Sequence, residues 1–147
     1  MVNRGPDVRG FTLIEIMVVI VILGILVSYV AVRIMDRPDE ARQLKARMDI
    51  AGLETSLKLY KLDNGSYPTT EQGLQALVEA PSVGKLPKKW RKGGYLEKNN
   101  VPKDPWANEY IYLSPGLHGP FDIMSYGDDG EQGGEDKDMD INNWELE

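Results

Sequence analysis

Uncharged, largely apolar residues run from Ile16 to Val32, and Phe11 to Ile14 extend the run to 22 residues broken only by Glu15. A helix needs about 20 such residues to cross the ~30 Å hydrocarbon layer, so residues 11–32 predict a membrane-spanning helix. Their many Ile and Val residues are poor helix formers in water, but in lipid a single span satisfies its backbone only as a helix. The pattern changes at Pro38, which predicts a break or kink. Helical periodicity then resumes with two adjacent stripes. Leu44, Met48, Ala51, Thr55, Leu59 and Leu62 form one; Ile50, Leu53, Leu57 and Tyr60 form the other. The expectation is one long, kinked helix from about Phe11 to about Leu62, on the order of 75 Å, stopped by Asp63-Asn64-Gly65.

Further along, Thr69 and Gln72 fit a capping box before a short helix that Pro81 stops. Residues 82–94 read as a Lys-, Pro- and Gly-rich loop. Three strand-like pieces follow: "YLEK" from Tyr95, "EYIYLS" from Glu109 and "PFDIMSY" from Pro120. The fold class predicted is α+β: a long N-terminal helix packed on a small antiparallel sheet, with one extra short helix.

Composition adds two exclusions. A net charge of −6 argues against nucleic acid as a partner, and the lack of cysteine removes disulfides and thiolate chemistry. The negative charge is local. Between Asp122 and Asp140 eight acids face one base, Lys137, for a net −7, which leaves about +1 for the rest of the chain.

The flanks of the apolar run give little orientation: Arg4, Arg9 and Asp7 precede it, Asp36, Arg33 and Arg37 follow. Its apolar stretch is too long for a cleaved secretory signal, and "SYVAVRIM" is a poor cleavage site. Glu15 is the anomaly. A carboxylate costs roughly 2.5–3.5 kcal/mol at a bilayer centre and less near the headgroups. No cation lies on the same helix face within a turn or two. A free amine at Phe11, created by cutting after Gly10, would supply one, on the same chain or on a neighbour.

"RGFTLIEIMVVIVILGIL" resembles the class III signal of type IV pilin-like proteins: a basic leader ending in Gly, then Phe, with Glu at the fifth mature position. The resemblance implies cleavage between Gly10 and Phe11 by prepilin peptidase, N-methylation of Phe11, and use of Glu15 to neutralise the terminal amine of an adjacent subunit during assembly. Residues 1–10 would be a cytoplasmic leader, 11–32 the transmembrane or fibre-core helix, and 33–147 a periplasmic head.

"YKLDNGSYPTTEQGLQALV", "DPWANEYIYLSPGLHG" and "DIMSYGDDG" resemble, in order and over nearly the whole chain, the major pseudopilins of type II secretion systems. That resemblance implies a pilin-like lollipop fold and a homopolymeric helical fibre in the periplasm, anchored in the bacterial inner membrane before assembly. Such a fibre pushes folded proteins through an outer-membrane secretin. The implied partners are minor pseudopilins, an inner-membrane assembly platform and a cytoplasmic ATPase. Two alternatives stand beside it: a type IV pilin subunit, although such pilins usually carry a C-terminal disulfide that this chain lacks, and, from another class, a monomeric, membrane-tethered, calcium-dependent binding module.

The acidic stretch "GDDGEQGGEDKDMD" reads either as a solvated tail or as a loop of hard oxygen ligands for Ca²⁺. An EF-hand fails, because Ile141 stands where its turn glycine belongs. Ile141 and Trp144 then offer apolar groups to dock the chain end on the sheet. Like charges in one loop repel, and a divalent cation converts that repulsion into attraction. The pseudopilin resemblance implies one Ca²⁺ in the loop at about 126–140. Its ligands would be the Asp129, Asp138 and Asp140 carboxylates and the Tyr126 and Glu131 carbonyls. The extra acid Asp136 leaves two candidates, Asp136 and Asp138, for one position.

No enzymatic arrangement emerges. The single His118 sits in a turn-like "PGLHGP", Ser114 and Ser125 lack a partner arrangement, and Trp90, Trp106 and Trp144 read as packing residues.

Overall fold

A computed structural model describes residues 10–35 and 37–146, with side chains for 10–28 and 38–146. Of the expected leader at residues 1–10, all but Gly10 lies outside them. The described chain forms two compact units that divide at Arg37 and Pro38.

The first unit contains α1 (Leu13–Met35). Its side chains are described as far as Ser28, and among the described residues no helix is long and apolar enough to cross a membrane. The 11–32 span reaches beyond that stretch. Ser28 Oγ donates to the Gly24 carbonyl at 2.9 Å, so this hydroxyl is satisfied inside the helix.

The second unit opens with α2 (Arg37–Asn64). Pro38 falls in its first turn, where a missing N–H costs nothing, and Asp39 and Glu40 complement the positive end of the helix dipole. The helix ends where the Asp-Asn-Gly stop was expected, with Gly65 N–H donating to the Lys61 carbonyl at 2.7 Å. Two helices thus stand where one kinked helix was expected, with Asp36 between them outside the described residues.

The two stripes of α2 part company. Ala46, Ile50, Leu53, Leu57 and Tyr60 are buried in the core, joined by Leu74, Leu77, Tyr95, Tyr110, Tyr112, Phe121, Ile123 and Ile141. On the other stripe Leu44, Met48 and Leu62 remain 60%, 67% and 79% exposed.

The capping box at Thr69 forms in both directions: Thr69 N–H donates to Gln72 Oε1 at 3.0 Å, and Gln72 N–H to Thr69 Oγ1 at 3.3 Å. The helix after it is shorter than expected. A turn leads into a 3₁₀ segment, Leu74–Leu77, because Gly73 at φ 60° stands outside the α region.

Three strands form one antiparallel sheet in the order β1 (Ile111–Leu113), β2 (Asp122–Ser125), β3 (Ile141–Asn142). Ile111 faces Met124, and Ser125 faces Ile141. All four residues of β2 are buried, which suits a central strand. "YLEK" is not a strand. Tyr95 N–H is taken by the Leu77 carbonyl at 2.7 Å, so this backbone pairs with the end of the 3₁₀ segment. The chain end docks as expected. Ile141 is buried as β3, and Trp144 stacks on His118 with ring centroids 3.8 Å apart.

Candidate assembly terminus and metal loop

Gly10 and Phe11 precede α1, both exposed, and nothing lies within 4 Å of where a side chain on Gly10 would begin. Thr12 caps the helix. Its N–H donates to Glu15 Oε2 at 3.5 Å, and Glu15 N–H donates to Thr12 Oγ1 at 3.3 Å. This is a reciprocal capping box, Thr-x-x-Glu, missed in the sequence although "TLIE" is its signal. The box supplies a local partner, but no positive charge. Beyond it, the large apolar side chains from Phe11 to Val27 are between 47% and 79% exposed.

The acidic loop joins β2 to β3 and is exposed from Asp128 to Lys137. It folds back on itself. Asp128 N–H donates to the Lys137 carbonyl at 3.2 Å, and Lys137 Nζ reaches Asp128 Oδ2 at 2.7 Å. That hydrogen bond holds the Asp128 carboxyl below its ordinary range and lifts the Lys137 ammonium above its own. Gly127, at φ 68°, lies so close to Asp138 that a Cβ there would stand 2.8 Å from its carbonyl carbon. Only glycine permits that approach.

The predicted ligands divide. Asp129 Oδ1 accepts the Glu131 N–H at 3.0 Å, and Asp140 Oδ2 accepts the Gly133 N–H at 3.0 Å. Asp138 and Asp140 are half-buried, and one oxygen of each, Asp138 Oδ1 and Asp140 Oδ1, is buried without a hydrogen-bond partner. Lys137 Nζ is 3.6 Å from Asp138 Oδ1, an ion pair beyond hydrogen-bond reach. Asp136 is exposed at φ 53°, with its carbonyl accepting from Gln43 Nε2 on α2. Among the described residues no group of three or more acidic or imidazole side chains stands close enough to hold a metal. The two unpartnered oxygens nevertheless fit a hard cation, since each is an acceptor with no donor supplied.

A second network missed in the sequence lies before the loop. Buried Asp104 accepts Trp106 N–H at 3.1 Å and Asn108 N–H at 2.8 Å on Oδ1, and Ser125 Oγ at 2.6 Å on Oδ2. An Asp followed by Pro and ending at Asn was its signal, since Asp side chains close turns on their own backbone. His118 has a structural setting: its Nδ1 lies 3.1 Å from Asp122 Oδ2, and its ring stacks on Trp144. Trp90 Nε1 donates to the Ala76 carbonyl at 3.0 Å, and Trp90 and Trp106 pack against the core.

Known proteins carry the same pattern. The chain matches the family described as Type II secretion system (T2SS), protein G over residues 33–144, and the prokaryotic N-terminal methylation motif over residues 6–31. It is 55% identical to type II secretion system core protein G of Pseudomonas aeruginosa over 136 residues, 92% of this chain and 94% of that one. It is 54% identical to the protein of the same name from Aeromonas hydrophila, over 93% and 92% of the two chains. The crystal structure of the major pseudopilin from the type 2 secretion system of enterohaemorrhagic Escherichia coli superposes with a TM-score of 0.65 at 44% identity, over 75% of this chain and 92% of that one. The chain belongs to the type II secretion system protein G family, the major pseudopilins, which are structural subunits of the pseudopilus and not enzymes.

Proposed function

We propose that this chain is cut between Gly10 and Phe11 by a prepilin peptidase, N-methylated on Phe11, and held in the inner membrane by residues 11–32 with its head in the periplasm. It then polymerises into the periplasmic fibre that drives folded proteins outward. Minor pseudopilins, an inner-membrane platform and a cytoplasmic ATPase are its working partners. In this reading the uncovered apolar face of α1 moves from lipid to the helices of other copies, and Glu15 meets the Phe11 amine of a neighbour. One stagger alone brings the two charges together, so the pair sets register as well as strength. The exposed Leu44 and Met48 on α2 offer further apolar surface to those copies.

The observation that carries this reading is a carboxylate in the first turn of an uncovered apolar helix, with only a weak, local, uncharged partner. The test is Glu15→Gln in the full-length chain. Gln keeps the capping box and removes the charge. Fibre formation and export are expected to fall to background while membrane insertion persists. A variant that assembles and exports like the parent would refute the pairing.

The loop between β2 and β3 is proposed to bind Ca²⁺. Asp138 and Asp140 supply the unpartnered oxygens, Asp129 a third carboxylate, and the Tyr126 and Glu131 carbonyls further acceptors. Bound there, Ca²⁺ neutralises a loop of like charges and orders it. Asp136 contributes through its carbonyl contact to Gln43, with Asp138 as the ligand.

A further inference from the structure

We infer that the turn at residues 104–108 is the fixed wall against which the metal loop closes, and that Asn108 is a positioning residue for the cation; this rests on the calcium reading above.

The wall is built before the loop begins. Asp104 is 4% exposed, and its carboxylate accepts three hydrogen bonds, two from the turn itself and one from Ser125 at the end of β2. Asp104 N–H also donates to the Asn108 carbonyl at 2.9 Å, which closes the turn a second time. The turn is thus fastened to the sheet one residue before Tyr126, where the loop starts.

Asn108 reaches from this wall into the loop. Its Nδ2 donates to the Gly127 carbonyl at 3.1 Å. Gly127 in turn lies against the backbone of Asp138, one of the two acids with an unpartnered oxygen. The loop passes Asn108 again at Gly130, where a Cβ would be 3.7 Å from the same amide nitrogen. One side-chain amide therefore spans the segment that carries Asp129 and the segment that packs on Asp138. Trp106, in the same turn, has a buried Nε1 without a partner. Unmet buried side-chain groups among the described residues fall only on the loop's two acceptors and this donor in the wall. Residues that orient ligands without touching the metal commonly change affinity by about 10–100-fold when removed.

Asn108→Ala and Asn108→Asp separate positioning from charge. Calcium binding to the EDTA-stripped, detergent-solubilised full chain is measured by titration calorimetry, and melting temperature is read with and without calcium. Both variants are expected to bind calcium at least tenfold more weakly, and the calcium-induced rise in melting temperature is expected to shrink more than the metal-free melting temperature falls. The Asp variant is the sharper arm, because added negative charge alone would tighten binding. A role confined to folding would lower both melting temperatures equally, and that result overturns the inference. So does calcium affinity within twofold of the parent in either variant that folds. If Asn108→Ala unfolds the chain, the Asp variant decides; if both unfold without metal, Asn108 is a folding residue and the inference fails. A parent chain that binds no calcium instead overturns the metal reading on which the inference stands.

Discussion

Replacing Asp138 by Asn should stabilise the metal-free protein and destabilise the calcium-loaded one. Asp138 Oδ1 is buried without a donor, and an unmet buried acceptor costs about 1–3 kcal/mol. The side chain is 31% exposed, so the lower end of that range applies. Asn keeps the shape, removes one negative charge from the crowded loop and brings donors into it. Against this stands the lost ion pair with the exposed Lys137 at 3.6 Å, a solvent-screened contact that contributes little. The balance in EDTA is a gain of up to about 1 kcal/mol, or about 4 °C for a head of this size. In calcium the sign reverses. A ligand at a hundred times its Kd contributes about 2.7 kcal/mol, roughly 10 °C, and the Asn variant forfeits most of it. Scanning calorimetry of the full-length chain in detergent, with EDTA and with calcium, reads both curves. The curves of parent and variant must exchange order. If Asp138→Asn lowers the melting temperature equally in both buffers, the residue is a packing element and the argument from its unmet oxygen is wrong.

Leu57→Ala provides the contrast: this core residue of α2 is fully buried, so its truncation should cost about 2–5 kcal/mol, equally with and without calcium, in the same calorimetric scans. Alkaline stability should fall from about pH 10 upward. Burial pushes Tyr112 up to about 12, and burial followed by the Asp49 carboxylate raises Tyr110 as well. A pKa raised by folding contributes stability in full below the unfolded value, near 10, and loses it as pH rises toward the folded value. At pH 11 the Tyr112 share lost is about 1 kcal/mol, and denaturant melts of Tyr112→Phe should lack that share of the pH dependence.

The residues that declared themselves in the sequence were those whose role is set by near neighbours in the chain. The Thr69–Gln72 box and the stop at Gly65 follow from spacings of three or four residues, and both formed. Periodicity found two apolar stripes on α2, but not which one the head covers. That choice belongs to the rest of the head, where Phe121 and the strand residues Ile123 and Ile141 share one buried core with Ile50, Leu53 and Leu57, while Leu44 and Met48 stay bare. "YLEK" has strand composition yet no strand beside it, because Tyr95 hydrogen-bonds to Leu77, eighteen residues earlier. In the candidate metal loop the acids were visible as charge. Their supports, Asn108 and Gln43, lie far away in sequence and carry no charge, so composition gives no pointer to them.

Glu15 shows how a local role and a distant one are told apart. In a capping box, Glu and Gln serve alike, since each offers an oxygen to the Thr12 N–H. The box alone therefore gives no reason for a charge at this position. Its bond at 3.5 Å is also at the outer limit of a hydrogen bond, so the local gain is small. At the edge of an apolar segment the charged form costs free energy that the neutral amide avoids. The positive end of the α1 dipole favours a charge in the first turn by well under the cost of burying it, and in the proposed assembly a neighbour's cation supplies the rest. At 4 Å and an effective dielectric of about 20, a single amine supplies a Coulomb attraction of about 4 kcal/mol before desolvation, comparable to the roughly 2.5–3.5 kcal/mol that bilayer-centre burial of a carboxylate costs. The apolar face around Glu15 is uncovered, which leaves the approach of such a cation open to a second copy of the chain.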